Sequence, residues 1–159
     1  MMAHYNFRKD IIEGEQGEEF VTSCLCETFG ATLISNNKTN SHDVVIEFPL
    51  TENSIWSGRL SLEIKTDVLV SEKRDTGNMF IEYECRGKPS GINVTKSDIF
   101  ITYFKNLNEL WAIPTPKLKE LISTQNFRTV GNAGDKGSKT CGYLIPRMKY
   151  REYFKRYKV

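Results

Sequence analysis

Histidine is almost missing from this chain: His4 and His42 are the only two in 159 residues. That leaves no histidine metal cluster and no histidine-dependent triad to propose. His42 reads as a strand cap, with a substrate contact as the alternative. Cysteine is sparse too, and the positions Cys24, Cys26, Cys85 and Cys141 do not have the spacing of a zinc knuckle. Cys24 reads as a core residue and the other three as incidental, all of them reduced thiols in a cytoplasmic setting. No apolar run approaches the length of a membrane span, and no signal peptide is evident, so a membrane partner is not expected. Neither sign of charge dominates; a formal net charge of +2 does not by itself announce a nucleic-acid partner. The glycine-rich stretch Gly131-Asn132-Ala133-Gly134-Asp135-Lys136-Gly137 lacks the Gly-Lys-Ser/Thr ending of a phosphate loop. No repeat, linker or low-complexity segment interrupts the chain. Residues 1–159 therefore read as a single domain, long enough to bury a sizeable core.

What the chain does contain is a pair of alternating segments. Leu60-Ser61-Leu62-Glu63-Ile64-Lys65 places its aliphatic residues on one face of a strand and Glu63 with Lys65 on the other. Asp43-Val44-Val45-Ile46-Glu47-Phe48 alternates in the same way. An antiparallel hairpin closed through Pro49 to Arg59 would pair Val44 with Ile64, Ile46 with Leu62 and Phe48 with Leu60. Every apolar pair then shares a face. That register sets Asp43 opposite Lys65 and diagonal to Glu63, about 7–8 Å apart at the backbone, within reach of a shared cation. The bland alternative is a surface hairpin carrying an Asp43–Lys65 salt bridge.

Around this hairpin the pattern predicts a helix from about Asp10 to Phe29, with an apolar stripe of Val21, Cys24, Leu25, Thr28 and Phe29 and a stop at Gly30. Glu18 sits at the edge of that stripe and can point toward the sheet, whereas Glu15 and Glu19 should be more exposed. The alternative for all three is a set of acids favourable to the helix dipole. Further strands are expected at 32–35, 79–84, 99–104, 110–113 and 143–145. Phe100, Tyr103 and Phe104 read as sheet core rather than a base-stacking platform. A short helix is expected at 115–122, capped by Thr115 with Pro116 at its first position. Residues 86–97 read as irregular and 131–142 as a mobile loop. A basic, aromatic terminal helix is expected at 148–157, either facing phosphate or simply solvated. The class is α/β with a central mixed β-sheet flanked by helices.

A helix glutamate, an aspartate at a strand start and Glu-x-Lys on the next strand resemble the PD-(D/E)xK nucleases, which include restriction endonucleases and Holliday junction resolvases. The pieces here are Gly14 to Glu18, His42-Asp43 and Glu63-Ile64-Lys65 followed by Thr66-Asp67. They cover about the first 67 residues. His42 stands where the family usually has proline, and the usual helix after the Glu-x-Lys strand is replaced by a strand and at most a short helix near Val94. Pro89 to Asp98 is similar to a segment of small phage-type nucleases, which would put Ser90 or Lys96 near the site. The resemblance implies a restriction-endonuclease-like fold and a catalytic set of Glu18, Asp43, Glu63 and Lys65.

By the same resemblance, Asp43, Glu63 and the Ile64 carbonyl would bind Mg²⁺ or Mn²⁺, with Glu18 completing the outer shell or binding a second ion. Lys65 would orient the attacking water and stabilise developing charge. The implied activity is a metal-dependent DNA endonuclease, structure-selective like a junction resolvase or a phage recombination nuclease, and dimeric because two cuts need two sites. Alternatives are a small restriction endonuclease, or a nuclease fold reduced to nucleic-acid binding. Lys73, Arg74, Arg86, Lys88 and Lys96 follow the Glu-x-Lys strand and are expected to hold backbone phosphates. Lys136 and Lys139 are further candidates for brushing the DNA backbone.

Overall fold

The computed structural model describes residues 7–39, 41–133 and 139–159, with side chains from Ile12 onward. Two helices and two sheets make up a mixed α/β fold. In chain order the elements are α1 (Phe7–Phe29), β1 (Thr32–Ser35), β2 (Val44–Phe48), β3 (Gly58–Asp67), β4 (Asn78–Cys85), β5 (Lys88–Pro89), β6 (Ile99–Phe104), β7 (Glu109–Pro114), α2 (Thr115–Thr124), β8 (Arg128–Ala133), β9 (Thr140–Pro146) and β10 (Lys155–Lys158). The larger sheet runs β1-β2-β3-β6-β7-β10 and the smaller β5-β4-β9-β8. β3 and β6 are parallel, whereas every other described pair of strands is antiparallel. His4 and Lys136 lie outside the described residues.

The large sheet is covered on both faces. On one side Val21 and Leu25 of α1 pack on Val44, Ile46, Leu62, Ile64, Ile101 and Leu110. On the other, Phe100, Phe104, Trp111 and Ile113 meet Met79, Ile81 and Ile145 of the small sheet and Leu118 of α2. Phe100, Tyr103 and Phe104 are all sheet core, as their alternation implies. That second layer also covers part of the opposite β3 face: Glu63 is only 7% exposed, while Lys65 on the same face stays exposed.

α1 ends at Gly30, whose φ of +62° is the left-handed stop a glycine makes easily. Its buried line is Val21 and Leu25, with the partly buried Cys26 and Phe29 packed against the same core, while Cys24 is half-buried and outside that core and Thr28 is exposed. Positions four apart stay in line on a helix, and Cys24 and Thr28 fall to its edge. It is thus Cys26 rather than Cys24 that packs against the core.

The β2–β3 hairpin forms, but in a register two residues from the expected one. Val44 pairs with Leu62, Ile46 with Leu60 and Phe48 with Gly58. A two-residue slip keeps every side chain on its face, so the apolar pattern alone cannot tell the two apart. The connecting loop decides. Trp56 is buried within it, with ring centroids 5.4 Å from Phe48 and 5.5 Å from Phe29. Its Nε1 donates to Tyr157 Oη at 2.8 Å. Drawing Trp56 inward starts β3 at Gly58, whose φ is +74°.

The end of the chain differs more. Residues 155–158 form an edge strand on β7, preceded by a 3-10 turn at Arg151–Tyr153, where a terminal helix is expected. Strand pairing wins because it buries Tyr157 against Trp56 and sets Arg156 on Glu109 at 2.7 Å, over the Trp111 ring. Residues 131–133 and 140–142 extend β8 and β9 rather than forming loop. Thr115 is not a cap: Pro114 holds the N-cap position of α2, and Thr115 Oγ1 lies 2.9 Å from Ser97 Oγ.

Gly17 lets α1 lie directly on β3. A Cβ there would come within 1.9 Å of Thr66 Oγ1 and 3.0 Å of Thr66 Cβ. Gly17→Ala should therefore destabilise the protein by about 1–3 kcal/mol, despite alanine's better helix propensity of roughly 1 kcal/mol. Thr66→Ala in the same chain should recover most of the loss, as read by denaturant unfolding. A Gly17→Ala protein more stable than the parent would show that α1 does not sit this close.

Candidate active site

Four of the expected residues converge where β2 begins and β3 leaves its cover. The Asp43 amide donates to the Leu62 carbonyl at 2.8 Å. Its carboxylate Oδ2 accepts from the Ile64 amide at 2.8 Å, so Asp43 caps the end of the hairpin. Continuing the β2–β3 register by one residue sets Asp43 across from Glu63, not Lys65. The N–H and C=O of one strand residue point to the same edge, so the Ile64 carbonyl is aimed to the Asp43 side. Lys65 Nζ lies 2.7 Å from Glu63 Oε1, and the lysine is half exposed while the acid is buried. The Asp43–Lys65 bridge of the bland alternative does not form; Lys65 pairs with Glu63 instead, with Asp43 beside them.

Glu18 reaches the same region from α1, and its side chain is mostly buried. Its direct partner is Lys38, at 2.8 Å, with Asp43 and Lys65 as charged neighbours. Glu15 and Glu19 are exposed, as their position implies. They line, with Glu18, Thr22, Lys38 and Val44, a cleft of about 510 Å³ between α1, β1 and the following loop. Three carboxylates against one lysine make that cleft repellent to anions.

Sequence reasoning missed three neighbours. Thr95, buried, has its Oγ1 2.9 Å from the Ser41 carbonyl and 3.5 Å from Glu63 Oε2. The Lys96 amide donates to the same Ser41 carbonyl at 2.9 Å. Residues 95–96 therefore hold both the segment leading to Asp43 and the Glu63 carboxyl. The segment 89–98 does border the site, but through Thr95. Lys96 is exposed beside it, and Ser90 Oγ instead donates to Glu82 Oε1. Glu82, on β4, is a third acid acting on Lys65, after Glu63 and Asp43; its alternation with Ile81 and Tyr83 was the available signal. Lys38 had no signal beyond lying in a polar loop. His42 is occupied locally, its Nδ1 3.1 Å from Ser41 Oγ.

The expected phosphate contacts do not form one patch. Lys73 and Arg74 are exposed on the link entering β4, and Arg86 and Lys88 are exposed at its far end. An eight-residue strand separates the two pairs by about 23 Å at roughly 3.3 Å per residue. Arg86 and Gly87, both at positive φ, form a tight turn rather than an irregular stretch. Lys139 is exposed next to residues that are not described. Arg147, at the start of the basic terminus, is buried over Phe104 and paired with Asp75, a structural role.

Among the described residues no three of His, Cys, Asp and Glu converge tightly enough to hold a metal ion. The donor set at hand is two carboxylates and a carbonyl, Asp43, Glu63 and Ile64, because Lys38 engages Glu18. Its charge still favours a cation. Asp43 and Glu63 are 8% and 7% exposed, side by side, with one ammonium, that of Lys65, paired to Glu63. These are hard oxygen donors in a partly desolvated, net negative setting, which suits Mg²⁺ or Mn²⁺.

Burial pushes the Glu63 carboxyl above its usual range; Lys65 opposes this and Asp43 adds to it. Burial also pushes Glu18 up, against the Lys38 hydrogen bond. Burial would lower Lys65, but the charge and hydrogen bond of Glu63 together with the charges of Asp43 and Glu82 outweigh it, so the ammonium is held more firmly than usual. A carboxyl whose folded pKa is raised binds its proton more tightly in the folded state, so its contribution to stability falls as pH rises through that window. Without metal, Glu63→Gln should thus gain stability relative to the parent as pH climbs above 4.5 toward neutrality. Urea titrations of both proteins across that range check it, and a relative loss with rising pH would show a Glu63 stabilised as carboxylate.

Comparison of the chain with protein-family models, curated protein sequences and solved structures finds no significant match.

Proposed function

We propose that this protein is a divalent-metal-dependent DNA endonuclease with a restriction-endonuclease-like core. The observation that carries the reading is the buried Asp43–Glu63 pair at the end of the hairpin, with Lys65 Nζ 2.7 Å from Glu63 and half open to solvent. A purely structural ion pair would not require a second buried acid capping Ile64, nor a third carried in by α1. The parallel β3–β6 pair at the sheet centre, with α1 across one face, supports the fold reading.

Asp43, Glu63 and the Ile64 carbonyl would hold Mg²⁺ or Mn²⁺, with Glu18 joining once released from Lys38. Bound there, such an ion supplies a water of lowered pKa and neutralises charge on the scissile phosphate. Lys65 keeps its proton, orients the attacking water by hydrogen bonding and stabilises the negative charge that grows on phosphate oxygens. Asp43, through its bond to Ile64, fixes the strand end on which all of this rests. Structure-selective recognition, the Lys96-bordered approach and a homodimer placing two sites on one substrate belong to the same reading.

A panel of labelled duplex, single-stranded, flap, fork and four-way-junction DNA tests it. Cleavage should require Mg²⁺ or Mn²⁺, with Ca²⁺ supporting binding but not turnover; undiminished cutting in excess EDTA would refute the metal role. Lys65→Ala should cut the cleavage rate by about 10²–10³-fold while leaving DNA affinity in Ca²⁺ within a few-fold. An equal loss of both would make Lys65 a phosphate contact only.

A further inference from the structure

We propose that the exposed rings and cations around Tyr153 form a second binding surface, for a single-stranded arm of the DNA substrate. The inference rests on the nuclease reading for its biological sense, but its observations are separate.

The basic residues of the chain's end divide into two groups. Arg147, Arg156 and Lys158 are neutralised internally: the first pairs with Asp75, and the other two meet Glu109 at 2.7 and 3.5 Å. Lys149, Arg151 and Lys155 are exposed and make no ion pair with the described residues, as is Lys117 on α2. Glu152 is the acid among them. Two of these unneutralised cations, Lys117 and Lys149, lie over aromatic rings. Lys117 Nζ lies 5.9 Å from the Tyr153 ring centre and Lys149 Nζ 5.5 Å from that of Tyr150. Tyr150 stands 6.0 Å from Tyr153 and 5.1 Å from Phe127.

Phe127 and Tyr150 lean on the core, but Tyr153 belongs to neither core cluster and is 40% exposed. A part-exposed ring with the Lys117 ammonium beside it, and the exposed cations Lys149, Arg151 and Lys155 on nearby residues of the chain, offers a π-face for a base and charge for the adjoining phosphates, the combination that binds single strands without reading sequence. A duplex hides its base faces, so it could use the charges but not the ring. α2 joins this surface to the candidate active site. Lys119 Nζ donates to the Thr95 carbonyl beside Glu63 at 2.8 Å, and Lys117, two residues earlier, reaches the other way over Tyr153.

The test is fluorescence anisotropy of labelled oligothymidylate with the full chain, without metal, over a salt series. Tyr153→Ala should weaken binding about tenfold, and Tyr153→Trp should restore it. Because the ring lies outside both cores, the alanine variant should keep its unfolding midpoint. Lys149→Glu with Arg151→Glu should weaken binding further and flatten the salt dependence by about 0.7 for each phosphate no longer neutralised. Unchanged affinity in both variants would overturn the proposal, as would equal loss on duplex and single strand for Tyr153→Ala. Equally tight binding to polyglutamate would reduce the surface to ion exchange, and a preference for oligouridylate would overturn the assignment to DNA. Binding that fails while the parent still cuts duplex DNA refutes this surface alone. Binding that behaves as expected in a protein that never cuts refutes the nuclease reading alone.

Discussion

The parallel pairing of β3 with β6 is the constraint from which the rest of the site follows. Two parallel neighbours cannot be joined by a tight turn, so the chain must leave the sheet after Asp67 and return before Ile99. Here the excursion is spent mainly on β4, β5 and a 3-10 turn instead of a long helix. That detour lays Met79, Ile81 and Ile92 on the face of the sheet carrying Glu63 and Lys65. It also brings Thr95 against Glu63 on the way back. An acid that would have been solvated on a two-layer sheet becomes buried, and its neighbour Lys65 becomes obligatory.

The elements that were legible in the sequence are those whose side chains repeat a simple period. The strand at 99–104 matches its alternation, and the strand at 32–35 and the stop at Gly30 match as well. The Asp43, Glu63 and Lys65 cluster was legible because strand parity fixes faces. Parity is silent about register, however, and the two-residue slip was settled by Trp56, a loop residue whose burial depends on Tyr157 far down the chain. The terminal segment failed for a related reason. Lys155 to Lys158 has little apolar content, and only pairing with β7, which no local window contains, makes it a strand. Thr95 and Lys38 reach the site by loop geometry, which carries no period.

Two lysines play opposite parts at one small site. Lys65 is tied to a buried acid on its own strand, two residues away, and the pairing survives any movement of the surrounding loops. Lys38 comes from a loop to an acid on a helix, half exposed, and can be displaced at little cost. The first therefore has a fixed geometry, as the proposed catalytic role requires, and the second is a charge that another cation could displace.

The hydrogen bond from Trp56 to Tyr157 joins positions 101 residues apart. Until residue 157 has been synthesised, Trp56 lacks this partner and β7 is an unpaired edge presenting Leu110 and Ala112. Such an edge is open to pairing with other chains. A nascent chain that has already assembled the hairpin, and with it the cluster of Asp43, Glu63 and Lys65, is thus still vulnerable to association. The closing strand carries Lys155, Arg156 and Lys158, so the interval between forming the cluster and sealing the sheet ends with charge placed along its exposed rim.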